Sequence, residues 1–317
     1  MRKMSTKKAP IINFQLLDSA QELQKLIAAC EDYGYFYLKN HNIEQGLLKN
    51  FENQMHQFFS LTEQEKKQIE RSAENPWGFF DRELTKQQRD WKEILDIGPV
   101  ADDDIFSSAK TQWPDSLPEF RDVVTEYISR CEQIAIQLLA GLAAALEVEA
   151  DHLHKAFENH TSFLRLNFYP RCHDPADITG LDLPSKGHLG INYHTDSGAL
   201  TLLLLDEQPG LEVYLEDEWH GVDPEPGTLL VNLGDLFQVW SNDRFKAPLH
   251  RVRANKNKER YSAPYFYNPG YHADISPQVP VNEQLYSPIN WGEFRSRRAE
   301  GDYASYGEEV QISNYKK

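Results

Sequence analysis

The sequence predicts a mainly β fold with flanking helices, in which a sandwich or jelly roll occupies the second half of the chain. Apolar residues recur with helical spacing until about residue 160, and strand-like patterns replace them afterwards. The strand-like segments are short and follow one another at intervals of about 10 residues, which is typical of β-sandwiches and jelly rolls. The length of 317 residues is enough to bury a sizeable core.

The helical part begins with an amphipathic segment whose start is marked by a capping box. Ser19 and Glu22 have the spacing of that motif, and Gly34 is expected to end the helix. Thr62 and Glu65 repeat the motif and predict a further helix start. The other elements predicted here are a strand at 35–38, a helix with apolar residues from 47 to 58, an irregular stretch at 72–115 and a long helix at 119–146.

The second half of the sequence predicts a series of strands. Residues Phe163–Tyr169 form one of them, which stops at a proline. Residues Leu200–Leu205 are continuously apolar, as expected of a strand that is buried on both faces. Further strands are predicted at Leu211–Leu215, Thr228–Leu233, 248–253 and 261–267.

These patterns divide the chain into four segments of one compact unit. They are an amino-terminal helix and strand segment (1–115), a long supporting helix region (116–160), the jelly-roll core (161–275) and a carboxy-terminal helix and tail (276–317). The tail after residue 301 is polar, and we expect it to be less ordered.

The charge balance argues against a nucleic-acid-binding protein. The chain has 33 basic and 49 acidic side chains, which gives a net charge of −16, and its basic clusters at 2–8, 256–260 and 295–298 are short. No apolar run approaches the roughly 20 residues that a bilayer requires, and the start lacks the apolar region of a signal peptide. The three widely spaced cysteines predict reduced thiols. We therefore expect a cytoplasmic monomer with neither a membrane nor a nucleic acid as partner.

Three side chains of the strand-rich half have the character of a metal site. His194 and Asp196 are two residues apart, so in an extended strand they project to the same side. His250 lies in a later strand-like segment and adds a second imidazole. Two histidines and one carboxylate form the facial triad that non-heme Fe(II) oxygenases use. Zinc accepts the same ligand types, so the triad alone does not decide the metal.

A second polar pair follows the last histidine. Arg260 and Ser262 share one face of a predicted strand, and together they offer a guanidinium fork and a hydroxyl to a carboxylate. A dicarboxylate that chelates a metal at one end would require such a clamp at its other end. Asn167 and Tyr169, two residues apart on another strand, are candidates for contacts with the same ligand.

The motifs occur in an order that resembles a known family. In the strand-rich half they are Asn167-Phe168-Tyr169-Pro170, His194-Thr195-Asp196, Pro209-Gly210-Leu211-Glu212-Val213, Asn232-Leu233-Gly234-Asp235, His250-Arg251 and Arg260-Tyr261-Ser262. Before them come Gly34-Tyr35-Phe36, Asn40-His41-Asn42-Ile43, Phe58-Phe59 and the segment from Glu63 to Lys67. From about residue 9 to residue 270 the chain resembles the isopenicillin N synthase-like family of Fe(II)/2-oxoglutarate-dependent oxygenases.

The resemblance implies a distorted double-stranded β-helix with helices packed outside it. It implies catalytic iron held by His194, Asp196 and His250, and 2-oxoglutarate bound to that iron. The far carboxylate of 2-oxoglutarate would contact Arg260 and Ser262, with Tyr169 and Asn167 assisting. The implied enzyme is a dioxygenase that uses O2, with ascorbate as an optional reductant. It would couple conversion of 2-oxoglutarate to succinate with oxidation, most often hydroxylation, of an unactivated C–H bond in a small metabolite.

The residues that contact the substrate are predicted with less specificity, because large aromatic side chains are also common in protein cores. The candidates are Arg165, Tyr193, Phe266, Phe79, Phe80 and Phe237. Two other functions remain open at the level of sequence. One is an Fe(II) oxidase of the same family that does not use 2-oxoglutarate and performs oxidative cyclisation or takes electrons from ascorbate. The other is a non-catalytic small-molecule-binding protein.

Overall fold

A computed structural model describes residues 8–98, 109–279, 283–303 and 310–317. Of the basic cluster at 2–8 only Lys8 is described. Residues 99–108 of the predicted irregular stretch at 72–115 and residues 304–309 of the polar tail also lie outside the described residues. In the described part of the chain, we find no helix with the length and apolar character needed to span a lipid bilayer.

The first four helices lie where the apolar periodicity and the capping residues predict them. The Ser19 hydroxyl accepts the backbone N–H of Glu22, and Thr62 and Glu65 form a complete capping box. The α-helices are α1 (Ala20–Asp32), α2 (Gln45–Ser60), α3 (Glu63–Lys67), α4 (Phe120–Ala145), α5 (Ala150–His154), α6 (Asp235–Trp240) and α7 (Trp291–Tyr303). The short helices α5 and α6 were not predicted as separate elements. Short 3-10 turns lie at Phe14–Leu16, Lys155–Phe157 and Ile312–Tyr315.

The strands form two main sheets and two small hairpins. They are β1 (Ile11–Asn13), β2 (Tyr35–Lys39), β3 (Gly78–Phe80), β4 (Leu84–Thr85), β5 (Gln88–Arg89), β6 (Glu93–Ile97), β7 (Phe163–Tyr169), β8 (Leu189–His194), β9 (Leu200–Leu205), β10 (Leu211–Leu215), β11 (Glu218–Gly221), β12 (Thr228–Leu233), β13 (His250–Arg253), β14 (Arg260–Tyr267), β15 (Asp274–Ile275) and β16 (Ile289–Asn290). The large sheet has the order β1-β2-β12-β9-β14-β7-β6-β3, and the small sheet has the order β11-β10-β13-β8.

Side-chain alternation in the large sheet separates two cores. On β2, Phe36 and Leu38 pack with α1, α2 and α4 in the main apolar core. Tyr35 and Tyr37, on the opposite face of the same strand, pack in a second core together with residues of the small sheet. The large sheet therefore has helices on one face and the small sheet on the other. This is the double-stranded β-helix with external helices that the family resemblance implies.

The structure differs from the sequence prediction in the stretch at 72–115. The sequence predicts an irregular segment there, whereas the structure forms β3 to β6 within it. The strand β6 pairs with β7 and extends the large sheet, with Asp96 opposite Arg165 in the register. Each of these strands is five residues or shorter. Because β6 pairs with the distant β7 while β4 and β5 form a hairpin of two-residue strands, local periodicity does not reveal them.

Candidate active site

The two histidines of the predicted triad are neighbours across two strands of the small sheet. His250 of β13 lies opposite His194 of β8 in the antiparallel register, and the ring centroids are 4.3 Å apart. The Nδ1 atom of His194 lies 2.8 Å from the carbonyl oxygen of Asn192, and that of His250 lies 3.0 Å from the carbonyl oxygen of Pro248. Because a carbonyl only accepts, each Nδ1 is the protonated donor. The lone pair is thus on Nε2 of both rings, where a metal would bind.

Asp196 completes the triad just beyond the end of β8. Its Oδ1 lies 3.7 Å from His250 Nε2 and 4.0 Å from His194 Nε2. Its other oxygen accepts hydrogen bonds from the Thr201 hydroxyl at 2.7 Å and from the Asn232 amide at 3.3 Å. These two bonds orient the carboxylate so that Oδ1 faces the imidazoles. One ligand atom from each of the three residues lies within 4.8 Å of the others, and the donor set is that of the facial triad.

The surroundings hold His194 and Asp196 in the protonation states that metal binding requires. Burial, reinforced by the neighbouring His250, lowers the pKa of His194 to about 3, so its imidazole is neutral at physiological pH. Burial opposes ionisation of Asp196, but the positive charge that His250 and His194 carry when protonated, together with the hydrogen bonds from Thr201 and Asn232, outweighs it and lowers the pKa of Asp196. A neutral imidazole and an ionised carboxylate are the ligand forms that bind a divalent cation.

A buried guanidinium lies in the same cavity as the triad. Arg260 and Ser262 begin β14 and pair in register with Tyr169 and Asn167 of β7, so the four side chains face one side of the large sheet. The Asn167 amide donates to the Ser262 hydroxyl at 3.4 Å, and the guanidinium lies over the Tyr169 ring at 5.0 Å. Phe168, between the two polar residues of β7, faces the helices instead and packs near Phe59.

Arg260 carries donors that the described residues do not satisfy. The side chain is 3% exposed, and neither its Nε nor its Nη1 has a hydrogen-bond partner in the described part of the chain. The buried Oδ1 of Asn167 also lacks a partner there. A buried cationic donor without an acceptor is costly, so this arrangement fits a bound anion. The carboxylate of a diacid that reaches the triad with its other end fits these donors.

One cavity of about 190 Å³ contains both the triad and the guanidinium. Strands of both sheets line it, which is why its polar residues are so far apart in the sequence. At Gly190 of β8 a Cβ atom would lie 2.9 Å from the Tyr169 ring and 2.9 Å from a Val252 methyl group. The absence of a side chain at this position therefore allows the Tyr169 ring to occupy the cavity wall.

Two of the predicted substrate-contacting residues line this cavity. Arg165 does so within an ion-pair network: its Nε and Nη2 donate to Asp96 at 2.7 and 2.8 Å, and its Nη1 donates to Glu83 at 2.8 Å. Lys92 also pairs with Glu83, at 2.6 Å, and both line the cavity. Phe266 stacks on a neighbouring phenylalanine across β14 and β7, at 4.7 Å between ring centroids.

The other four predicted contacts lie outside the cavity lining. Tyr193 precedes His194 by one residue, so its side chain takes the other face of β8, where Lys86 lies over its ring. Phe79 is buried in the main core near Phe58, and Phe80 packs against arginine side chains. Phe237 lies in α6 and packs against Trp240.

The sequence reasoning left several side chains of the site without a role. Thr201 and Asn232 orient the Asp196 carboxylate, and Glu83, Lys92 and Arg298 line the cavity. A signal existed for Asn232, which belongs to the Asn232-Leu233-Gly234-Asp235 motif that contributes to the family resemblance. For Glu83, Lys92 and Arg298 the sequence offers no local pattern, since they reach the site through long-range packing.

Comparison with known proteins agrees with this geometry. Residues 160–269 match the profile of the 2OG-Fe(II) oxygenase superfamily. Residues 9–119 match the profile described as "non-haem dioxygenase in morphine synthesis N-terminal". The two matched segments cover the large and small sheets and most of the amino-terminal helices.

Curated relatives and solved structures indicate the same superfamily. The chain is 31% identical to Protein DMR6-LIKE OXYGENASE 1 of Arabidopsis thaliana, over 83% of this chain and 72% of that protein. It is 30% identical to Gibberellin 20 oxidase 1 of the same plant, over 90% and 77%. The crystal structure of JOX2 in complex with 2OG, Fe and JA superposes with a TM-score of 0.83 at 27% identity, over 99% of this chain and 90% of that one. A dioxygenase for auxin oxidation from rice gives a TM-score of 0.76 at 25% identity, over 98% and 100%. The chain therefore belongs to the 2OG-Fe(II) oxygenase superfamily and is an Fe(II)/2-oxoglutarate-dependent dioxygenase.

Proposed function

We propose that this enzyme hydroxylates an unactivated C–H bond of a small metabolite. In this proposal His194, Asp196 and His250 hold the iron, and Arg260 and Ser262 hold the far carboxylate of 2-oxoglutarate. The observation that carries it is the position of the Arg260 guanidinium, buried with unsatisfied donors in the same cavity as the triad. Bound iron and 2-oxoglutarate would supply the oxidising chemistry, in which one oxygen atom of O2 ends in succinate as 2-oxoglutarate loses CO2 and the other ends in the hydroxyl group of the product.

The residues of the chain would bind the iron, orient its ligands and protect the reacting atoms from water. The carbonyl oxygens of Asn192 and Pro248 fix the tautomers of the ligand histidines, and Thr201 and Asn232 hold one oxygen of the Asp196 carboxylate. Because all three proposed ligands lie on one side of the site, they would leave the other side of a bound ion open to exchangeable molecules. Burial of the site between two sheets excludes bulk water from the reacting atoms.

The Arg260 end of the cavity sets the position of 2-oxoglutarate. Its guanidinium offers a fixed fork to a carboxylate, and the Ser262 hydroxyl lies beside it on the same face of β14. Tyr169 and Asn167 form the neighbouring wall on β7 and restrict the diacid to one orientation. In that orientation the other end of the diacid reaches the triad.

We propose that Arg165 and Phe266 form part of the substrate wall. Both line the cavity, and together they combine an ionic surface with an aromatic one. Because Arg165 donates to the carboxylates of Asp96 and Glu83, its guanidinium is held rigidly rather than left mobile. A small, partly polar molecule would complement such a wall.

We further propose a monomeric cytoplasmic protein whose four sequence segments form one compact unit. The main apolar core supports the single unit, since it includes residues from Ile12 to Ile312. The three cysteines are free and buried, as expected of a chain in a reducing compartment. Size-exclusion chromatography with light scattering tests the monomer, and a stable dimer would contradict it.

Anaerobic titration of the purified chain with Fe(II) and 2-oxoglutarate tests the proposed site. We expect the visible charge-transfer absorption of the chelate, and we expect His250→Ala to lose it. Exposing the complex to labelled O2 with a panel of small metabolites then tests the reaction. Hydroxylation requires succinate formation and one labelled oxygen in the product. Oxidation without succinate formation would instead indicate an oxidase that does not use 2-oxoglutarate.

A further inference from the structure

We propose that Arg298 of the carboxy-terminal helix is a positioning residue that sets the geometry of the Asp196 metal ligand. This inference rests on the proposed role of Asp196 and extends it to a residue about 100 positions away in the chain. Arg298 is 5% exposed, lies in α7 and lines the cavity of the active site.

The Arg298 guanidinium joins three separate parts of the fold. Its Nη2 donates to the carbonyl oxygen of Thr195 at 3.0 Å. Its Nη1 donates to the Asp235 carboxylate at 3.0 Å and to the Gln311 side chain at 3.0 Å. The first contact lies between two proposed metal ligands, the second at the start of α6, and the third in the carboxy-terminal segment. A single buried side chain therefore connects the carboxy-terminal segment to residues 195–199, the loop that carries Asp196 and is called the ligand loop below.

Two hydrogen bonds, one from Arg298 and one from the Asp235 backbone, fix the peptide planes on either side of the Asp196 Cα atom. The Thr195 carbonyl belongs to the plane that precedes this atom, and Arg298 holds it. The Asp196 carbonyl belongs to the plane that follows, and it accepts the backbone N–H of Asp235 at 2.8 Å. Because a peptide unit is planar, fixing both units leaves the Asp196 backbone little rotational freedom. Arg298 and Asp235 form an ion pair, so the two restraints support each other.

The neighbourhood leaves no room for the loop to adjust independently. A Cβ atom at Gly234, just before α6, would lie 2.1 Å from the carbonyl oxygen of Gly198 and 3.1 Å from that of Asp196. The ligand loop thus contacts the start of α6 directly. Loss of the Arg298 contact would release the plane before Asp196 while the plane after it stays bound, and the carboxylate would rotate away from the imidazoles.

The test measures metal affinity rather than turnover, with Co(II) as a redox-stable probe followed by its visible absorption. The informative variant is the double substitution Arg298→Met with Asp235→Asn, which removes both charges of the buried pair and keeps the Asp235 backbone N–H. We expect it to bind Co(II) about 10- to 100-fold more weakly than the wild type, as is usual when an outer partner of a ligand is removed. We also expect altered absorption bands, because the ligand geometry changes.

Arg297→Met is the matched control, since this neighbouring arginine is half-exposed and pairs only at the surface with Glu293. It should leave the Co(II) affinity unchanged. Circular dichroism establishes that each variant is folded. A folded double variant whose Co(II) affinity lies within about twofold of the wild type would overturn the inference. If the double variant does not fold, Arg298→Lys replaces it under the same criterion, because one ammonium nitrogen replaces the two nitrogens that Arg298 uses.

Failure of the proposed metal site gives a different result. In that case the wild type itself shows no Co(II) binding that His250→Ala abolishes. If the wild type binds Co(II) and His250→Ala does not, the variants of Arg298 report on the positioning role alone.

Discussion

Replacing Arg260 with methionine should abolish tight binding of 2-oxoglutarate while leaving the metal site intact. Methionine retains most of the apolar volume and removes the guanidinium, of which Nε and Nη1 have no partner among the described residues. A hydrogen bond to a charged group contributes about 1.5–3 kcal/mol, so two such bonds contribute about 3–6 kcal/mol. At 1.4 kcal/mol for each factor of ten, the Kd for 2-oxoglutarate should rise by about 10²- to 10⁴-fold.

The assay is anaerobic titration of the Fe(II)-loaded protein with 2-oxoglutarate, followed by the charge-transfer absorption of the chelate. Arg171→Met serves as the control, because that arginine is exposed and lies 3.9 Å from a glutamate at the surface. We expect wild-type affinity for the control and normal Fe(II) affinity for both variants. A 2-oxoglutarate affinity that is unchanged in Arg260→Met would refute the assignment of this residue as the carboxylate clamp.

Three further predictions concern stability. The unfolding free energy of the metal-free protein should fall by up to about 1.4 kcal/mol per pH unit below pH 6.5. The reason is that the unfolded chain then protonates His194, whereas the folded chain, in which His194 has a pKa of about 3, does not. Urea denaturation should show a shallower slope of unfolding free energy against pH in His194→Gln than in the wild type, and equal slopes would contradict the reasoning. Gly190→Ala should cost about 1–3 kcal/mol by overpacking against Tyr169, whereas Gly221→Ala, with open space around it, should change the melting temperature little; a neutral Gly190→Ala would mean that the wall adjusts freely. Arg165→Met leaves two buried carboxylates without this partner and should cost about 3–5 kcal/mol in urea denaturation, so a loss below 1 kcal/mol would show that the network rearranges.

The proposed metal and co-substrate residues could be predicted from sequence because the relevant signal is local. Strand periodicity puts Arg260 and Ser262 on one face, and the same rule pairs Asn167 with Tyr169. Applied once more, it would have removed Tyr193 from the list of substrate contacts, since a strand neighbour of His194 faces the other way.

The remaining parts of the site depend on contacts between distant segments. Glu83 and Lys92 reach the cavity from a stretch whose strands are very short and whose longest strand, β6, pairs with the distant β7. Arg298 belongs to a run of basic residues that reads as a solvated surface, and only the docking of α7 buries it. Periodicity within one segment carries no information about such partners.

The antiparallel register between β7 and β14 has a consequence for how this enzyme can change during evolution. Alternate residues of β14 face opposite cores. Inserting or deleting one residue within this strand would therefore turn the Arg260 guanidinium away from the proposed 2-oxoglutarate site and put the phenol ring of Tyr261 in its place. Length changes are therefore tolerated only in the connections between strands. New substrate preferences in descendants of this chain should arise from loop insertions and point replacements along the cavity, while the number of residues within each strand stays constant.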